Sequence, residues 1–90
     1  MGRIAVVGAV LENPREIQGK FNETVGSFKG IIKGRMGIPL DDENMAVISI
    51  TLLGELDEIN ALTGRLGKLP GVTVKTAVSR EMAVSGETAL

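Results

Sequence analysis

The sequence predicts an α+β domain in which the elements follow the order strand, helix, strand, strand, helix, strand. Two continuous apolar runs, at residues 3–11 and 45–53, predict the two most buried strands. Two other segments, residues 14–28 and 55–69, carry apolar residues three or four positions apart, which predicts amphipathic helices. Because the chain has 90 residues, these elements belong to one domain.

The first strand, at residues 3–11, is apolar on both faces, which is typical of a central strand. The pattern leaves open which face points inward. The outward set is therefore either Ala5, Val7 and Ala9, or Ile4, Val6 and Val10.

The first helix begins after the segment Glu12-Asn13-Pro14. Asn13 is a favourable N-cap, Pro14 suits the first helical position, and Glu16 completes a spacing like that of a capping box. The predicted core stripe of this helix is formed by Ile17, Phe21, Val25 and Phe28.

Residues 30–38 predict a second strand, in which strict alternation separates an apolar face from a basic one. We expect Lys33 and Arg35 on the face opposite to Ile32, Met36 and Ile38. The three glycines of this segment indicate an edge or bulged strand, and Pro39 is expected to end it. A polar turn follows at residues 41–44.

The second half of the chain repeats the pattern. The strand at residues 45–53 is followed by a helix that starts after Gly54 and stops at Gly67, and the last strand covers residues 72–78. Residues 1–79 are therefore expected to form the domain, and residues 80–90 a tail that could add a short strand at 82–84. The predicted core residues are Ala46, Ile48, Ile50 and Leu52 in the strand, and Ile59, Leu62, Leu66 and Leu69 in the helix.

Right-handed crossovers then place the strands in the order 4-1-3-2, with both helices on one face of an antiparallel sheet. This arrangement is the ferredoxin-like sandwich. The two most apolar strands take its two central positions, which supports the prediction.

The composition argues against several classes of function. The chain has no Cys and no His, so thiolate chemistry, the usual proton shuttle and the preferred ligands of transition metals are missing. The net charge is −1, no Lys/Arg run exceeds two residues, and no stretch of 18 apolar residues occurs. We therefore expect a cytoplasmic protein that is not an enzyme, holds no cofactor or metal, binds no nucleic acid directly and does not enter membranes.

Three motifs of the sequence are candidates for a nucleic-acid, cation or anion site. The two Gly-x-x-Gly segments, at residues 34–37 and 64–67, fall in a strand and at a helix end, so structural glycines are the better interpretation. The acidic residues 41–43 lack the spacing of a calcium loop and favour a solvated turn. Lys33, Arg35 and Lys75 predict positive charge on the sheet face away from the helices, either as an anion site or as an ordinary solvated face.

The apolar content exceeds what the thin core of a small domain needs, since 43% of the residues are hydrophobic. Helices cover only one face of such a sheet, so the other face meets water or a partner. We expect a homodimer or a dimer of dimers with the sheet in the interface, and edge-to-edge strand pairing is the competing geometry.

The sequence also resembles a small family described as candidate regulators of iron-only hydrogenase systems, which are ACT-like, ferredoxin-like domains. The resemblance is carried by residues 34–39 (GRMGIP), by Asn44 before the third strand, and by residues 57–67 and 69–76; residues 3–8 resemble the family's first strand. It covers nearly the whole chain up to Ser79.

The resemblance implies a regulatory module that senses a small molecule or contacts a partner protein. The alternative is a transcriptional regulator that acts with a separate DNA-binding partner. ACT domains bind small effectors at dimer interfaces near the loop after the first strand. This points to Glu12 and Asn13, where their loop meets a neighbouring subunit, with Arg35 as an anion contact. This loop lacks the glycine of the common ACT pattern, and the absence of His and Cys removes the ligands used by related nickel-responsive repressors.

Overall fold

The six predicted elements all form in the computed structural model, which describes residues 2–80. The strand suggested at residues 82–84 lies outside the described residues. Single turns of 3₁₀ helix, Lys29–Ile31 and Asp41–Glu43, precede and follow the second strand. The elements are β1 (Arg3–Glu12), α1 (Pro14–Gly26), β2 (Ile32–Leu40), β3 (Met45–Gly54), α2 (Leu56–Gly67) and β4 (Val72–Val78).

The strands form one antiparallel sheet in the order β2-β3-β1-β4. This is the predicted order, and with both helices packed on one side it confirms the ferredoxin-like α+β fold. The apolar strands β1 and β3 lie at the centre because a central strand has no edge to expose to water. The helices of the described residues have 13 and 12 residues, and neither is long enough to span a membrane.

The core lies between the helices and the side of the sheet that we call the covered face. On β1 the covered face carries Ala5, Val7, Ala9 and Leu11, each at most 1% exposed. The alternative left open for β1 is thereby decided, since Ile4, Val6 and Val10 point to the opposite side, the open face. Opposite β1 in the core are Phe21 of α1 and Ile59, Leu62 and Leu66 of α2, all fully buried.

The helices start where the sequence predicts, with Asn13 at the N-cap and Pro14 at the first position of α1, but the capping hydrogen bonds differ from the prediction. Asn13 occupies the N-cap position of α1, but its backbone is left-handed (φ 51°, ψ 59°) and its side chain makes no capping hydrogen bond. The capping box expected from Asn13 and Glu16 is therefore wrong for α1. A capping box forms instead at α2, where the backbone N–H of Glu55 donates to the Glu58 carboxylate at 3.0 Å.

The two faces of β2 also differ from the prediction, because a β-bulge interrupts the alternation. Ile32 pairs with Leu52, whereas Gly34 pairs with Thr51, so Lys33 is an extra residue with no partner of its own on β3. Ile32 packs against the core, but Met36 and Ile38 lie on the open face and Arg35 lies on the covered face. The expected grouping of Ile32 with Met36 and Ile38 is thus wrong, as is the placement of Arg35 away from the helices.

Pro39 was expected to end β2, but the strand continues through it to Leu40. Pro39 pairs with Ala46 of β3. Because β2 is an edge strand, a residue without an N–H group is tolerated there. The prediction that β2 is an edge or bulged strand is confirmed in both respects.

Candidate functional site

The turn between β1 and α1 carries two of the three predicted site residues, Glu12 and Asn13. Their backbones are fixed by neighbouring strands, since the N–H of Glu12 donates to the Gly71 carbonyl at 2.8 Å and the N–H of Asn13 donates to the Asn44 carbonyl at 3.1 Å. The side chain of Asn44 also donates through Nδ2 to Oδ1 of Asn13. Residues from three separate loops are therefore joined at one end of the sheet.

Left-handed backbone recurs at this end of the sheet. Asn44 has φ 55° and Gly71 has φ 76°, beside the φ of 51° at Asn13. Asparagine and glycine are the residues that adopt this conformation most readily. At Gly71 a Cβ atom would also lie 3.2 Å from the Glu12 carbonyl oxygen, so the close approach of the two chains favours glycine.

A cavity of about 260 Å³, here called the turn cavity, opens beside these residues. Ile17 and Pro70 form its apolar part. The polar groups are the carboxylates of Glu12 and Glu16, the amide of Asn13 and the ammonium group of Lys20. With charges of both signs over an apolar floor, the cavity suits a small polar ligand or the side chains of a partner protein.

Arg35, the third predicted residue, lies elsewhere. Its guanidinium carbon lies 5.8 Å from the centroid of the Phe21 ring, and Nη2 donates to Oδ1 of Asn22 at 3.1 Å. It lines a second cavity of about 270 Å³ between α1 and β2, here called the α1–β2 groove. Neither Glu12 nor Asn13 contributes to this groove, so within one chain the structure does not bring the three predicted residues together.

Two polar residues of the groove, Gln18 and Asn22, were missed by the sequence analysis. They lie one helical turn apart on α1, in line with Pro14 and beside the buried stripe of Ile17 and Phe21. That spacing was visible in the sequence. Its relevance depends on the neighbour across the gap, β2, which only the folded chain provides.

Among residues 2–80 no polar or charged side chain is buried, and no three acidic side chains converge as metal ligands. The acidic segment Asp41–Glu43 forms an exposed 3₁₀ turn, in agreement with the solvated turn predicted for it. The turn cavity and the α1–β2 groove are two of several concave sites on the described residues, and one face of the sheet is not covered by helices.

These features define a small ferredoxin-like α+β domain. A family model described as "TM1266-like: Iron-only hydrogenase system regulator, putative" matches residues 3–76. The chain belongs to this TM1266-like family, as the resemblance in sequence predicted.

Solved structures agree with this assignment. The uncharacterized protein TM1266 from Thermotoga maritima is 35% identical to this chain, and the match has a TM-score of 0.84 over 89% of this chain and all (100%) of that one. A search of curated proteins finds no match.

More distant structures share the fold alone. The C-terminal domain of the MgtC protein from Mycobacterium tuberculosis has a TM-score of 0.67 at 13% identity, with 91% of this chain and 93% of that chain covered. SnoaB, a cofactor-independent oxygenase from Streptomyces nogalater, has a TM-score of 0.55 at 14% identity, with 97% and 100% covered.

Proposed function

We propose that this chain is a cytoplasmic, homo-oligomeric regulatory module without enzymatic activity, which senses a small molecule or contacts a partner protein. The observation that supports the proposal most directly is the open face of the sheet. Membership of a family described as regulators agrees with a module that works by binding.

The open face is apolar over much of three adjacent strands. Cross-strand neighbours share a face, so Ile38, Val47 and Val10 form one continuous apolar row across β2, β3 and β1. Near the other end of β1, Ile4 pairs with Leu53, and Val6 lies beside Ala77 of β4. Large side chains on this face remain 37–65% exposed in the single chain; they are Ile4, Val6, Met36, Ile38, Leu40 and Leu53. An apolar patch of this extent is rarely left bare.

The size of the open face suits a second copy of the chain. Four strands about 4.8 Å apart, with about 3.4 Å per residue over most of their length, present roughly 500–600 Å² per copy. Two such faces in contact would bury roughly 1,000–1,200 Å², which is about the lower limit of a stable interface. Lys75 lies on the edge strand β4, so its ammonium group can reach water at the rim of such an interface.

Light scattering at micromolar concentration tests the assembly, with an expected mass of two or four times 9.5 kDa. Val6→Lys is the most informative variant, because Val6 lies on a central strand and its side chain is 43% exposed on the open face. We expect it to shift the mass to that of the monomer while the chain stays folded by circular dichroism. Leu56→Lys is the matched control, since Leu56 is 36% exposed but lies at the start of α2, and its mass should equal that of wild type.

Two outcomes contradict parts of the proposal. A wild-type mass of 9.5 kDa would refute the homo-oligomer. If the Val6→Lys variant keeps the wild-type mass, the face-to-face contact is wrong, and edge pairing through β2 or β4 becomes the better explanation of the oligomer.

The turn cavity is the proposed place for an effector or a partner contact, with Glu12 and Asn13 as the contacting residues. Its backbone is held in place by β3 and the β4 loop, so little ordering is needed when a ligand binds. Glu12→Gln removes one charge from the cavity and leaves the backbone bond to Gly71 unchanged. A regulatory partner recovered from the native organism should bind this variant more weakly than wild type, and equal binding would exclude Glu12 from the contact.

Direct nucleic-acid binding is not part of the proposal. Filter binding with random duplex DNA at low salt should retain no complex of this chain alone. Retention of DNA would contradict the proposal, and it would also exceed the alternative, in which a separate partner binds the DNA.

A further inference from the structure

We propose that the α1–β2 groove binds a small carboxylic acid with an apolar body, and that Arg35 holds the carboxylate. This inference rests on the proposed sensing function and gives it a ligand class. The groove is distinct from the turn cavity and has a volume of about 270 Å³. Its principal lining residues are Leu11, Gln18, Asn22, Arg35, Gly37 and Ile48.

The groove exists because β2, beyond Arg35, carries only a glycine and a proline where it faces the helices. After the bulge at Lys33, the covered-face positions of β2 are Arg35, Gly37 and Pro39. A Cβ atom at Gly37 would meet only Cγ1 of Ile48, at the ordinary contact distance of 3.9 Å. The space beside Gly37 is therefore unfilled, although a side chain would fit there.

The floor of the groove is apolar. Leu11 is 1% exposed and Ile48 is 7% exposed, and both belong to the core. The apolar area that a ligand body could remove from water belongs to the lining residues around this floor, Pro14, Pro39 and Ala46, which are half-buried or exposed. The gain is the ordinary hydrophobic one, in proportion to the apolar area removed from water.

Arg35 supplies a fixed positive charge at the side of the groove. The guanidinium group is held over the Phe21 ring and donates one hydrogen bond to Asn22. A guanidinium group has five N–H donors, so further donors remain for a ligand. Within residues 2–80 no carboxylate forms an ion pair with Arg35. A carboxylate can accept two parallel hydrogen bonds from such a group, which makes it the matching ligand.

The other lining groups favour an acid over an amino acid. Gln18 and Asn22 are neutral amides, and no carboxylate lines the groove. The ammonium group of a zwitterion would lose water near the Arg35 cation without gaining a negative partner. The volume lies just below the roughly 300–1,000 Å³ of pockets for drug-sized ligands, so the acid is small.

Three probes of nearly equal shape test this proposal by NMR titration of the ¹⁵N-labelled full chain. They are isovalerate, its neutral amide isovaleramide, and the zwitterion valine. We expect isovalerate to shift the backbone amide signals of Asn22 and Gly37 saturably in the millimolar range. Isovaleramide should bind at least about tenfold more weakly, because it lacks the carboxylate and loses a charge-assisted hydrogen bond. Valine keeps the carboxylate but should also bind at least about tenfold more weakly, because its ammonium group loses water near Arg35 without gaining a negative partner.

Variants identify the groups responsible. Arg35→Gln should weaken isovalerate binding about tenfold and remove the preference for acid over amide. Lys33→Gln is the matched control, because it removes the same charge two residues away and should leave binding unchanged. Gly37→Val fills the groove from the strand side and should weaken isovalerate and isovaleramide alike while the melting temperature stays close to that of wild type.

Equal isovalerate binding by wild type and Arg35→Gln would overturn the proposal, as would saturable shifts confined to the turn cavity or no saturable shift at all. Light scattering on the same samples separates this test from that of the assembly. An oligomer that ignores isovalerate refutes only the ligand class, whereas a monomer that binds it refutes only the homo-oligomer.

Discussion

The two faces of the sheet are built from the same strands but experience different environments. On β1, alternate residues differ little in apolar character, yet Val7 is fully buried and Val6 is 43% exposed. The difference is the presence of the helices, which cover one side only. The comparison shows that the apolar character of a strand residue does not decide whether it is buried, because burial depends on which side of the sheet the helices cover.

A second contrast separates the strands. The central strands β1 and β3 each pair with a neighbouring strand on both sides. Strand β2 pairs only with β3 and is exposed from Lys33 to Leu40. Its bulge turns Arg35 toward α1 and leaves the α1–β2 groove beside it. The proposed ligand site thus lies at the place where the sheet extends beyond the cover that the helices provide.

The largest expected effect is at the covered face. Leu62→Ala or Ile48→Ala should lower the free energy of unfolding by about 2–5 kcal/mol, because each leaves a cavity in the core. Leu62 is fully buried and Ile48 is 7% exposed. Urea unfolding at a fixed protein concentration measures the change. A loss well below this range would mean that the core between sheet and helices is looser than the structure shows.

A matched pair compares the two faces directly. Val7→Thr places a hydroxyl group in the core and should cost about 1–3 kcal/mol, whereas Val6→Thr on the open face of a monomer should stay within about 0.5 kcal/mol. Unfolding should be followed at several protein concentrations. If the open face is an interface, the Val6→Thr effect will grow with concentration. If Val6→Thr and Val7→Thr lower the free energy of unfolding equally in dilute monomer, the expected difference between the open and the covered face is wrong.

Gly71→Ala tests the end of the sheet, at a loop residue that belongs to neither the covered face nor the open face. A Cβ atom here meets the Glu12 carbonyl oxygen, and the left-handed backbone adds strain, so we expect a loss of about 1–2 kcal/mol. Gly19→Ala is the control, because Gly19 lies inside α1 with no atom within 4 Å of the added Cβ. That variant should be stabilised by roughly 0.5–1 kcal/mol. A stabilised Gly71→Ala variant would contradict the close packing of this turn against β1.

The smallest effect is expected at the acidic turn. Asp42→Ala removes an exposed carboxylate from the 3₁₀ turn between β2 and β3, and the free energy of unfolding should change by no more than roughly 0.5 kcal/mol. Calorimetry with wild type as reference checks this. A cost larger than that of Leu62→Ala would show that the assignment of core and surface is wrong.

Local signals in the sequence were sufficient to predict the helices and strands and their order along the chain. The apolar stripes of α1 and α2 contain the helix residues that are buried, and the two continuous apolar runs became the central strands. These features depend on periodicity and on composition over a few residues, which the chain carries wherever it folds. The resemblance to a known family predicted the class of protein, but it did not predict the geometry of the candidate sites.

The details of the candidate sites depend on contacts between distant residues. Asn13 holds the N-cap position of α1 without a side-chain capping hydrogen bond, and its Oδ1 accepts instead from Asn44, 31 positions away. That partner is not visible from the local spacing. Likewise, alternation in β2 predicted that Arg35 would face away from the helices, but pairing with β3 introduced a bulge at Lys33 and reversed every later position.

The sequence by itself therefore determined the kinds of elements, their order along the chain and the central place of β1 and β3. Only the tertiary structure decided which face of β1 is covered, where Arg35 lies, and that Glu12 and Asn13 belong to a different cavity. The physical reason is that helix and strand periodicity arise within a few residues, whereas strand register is set by partners far along the chain.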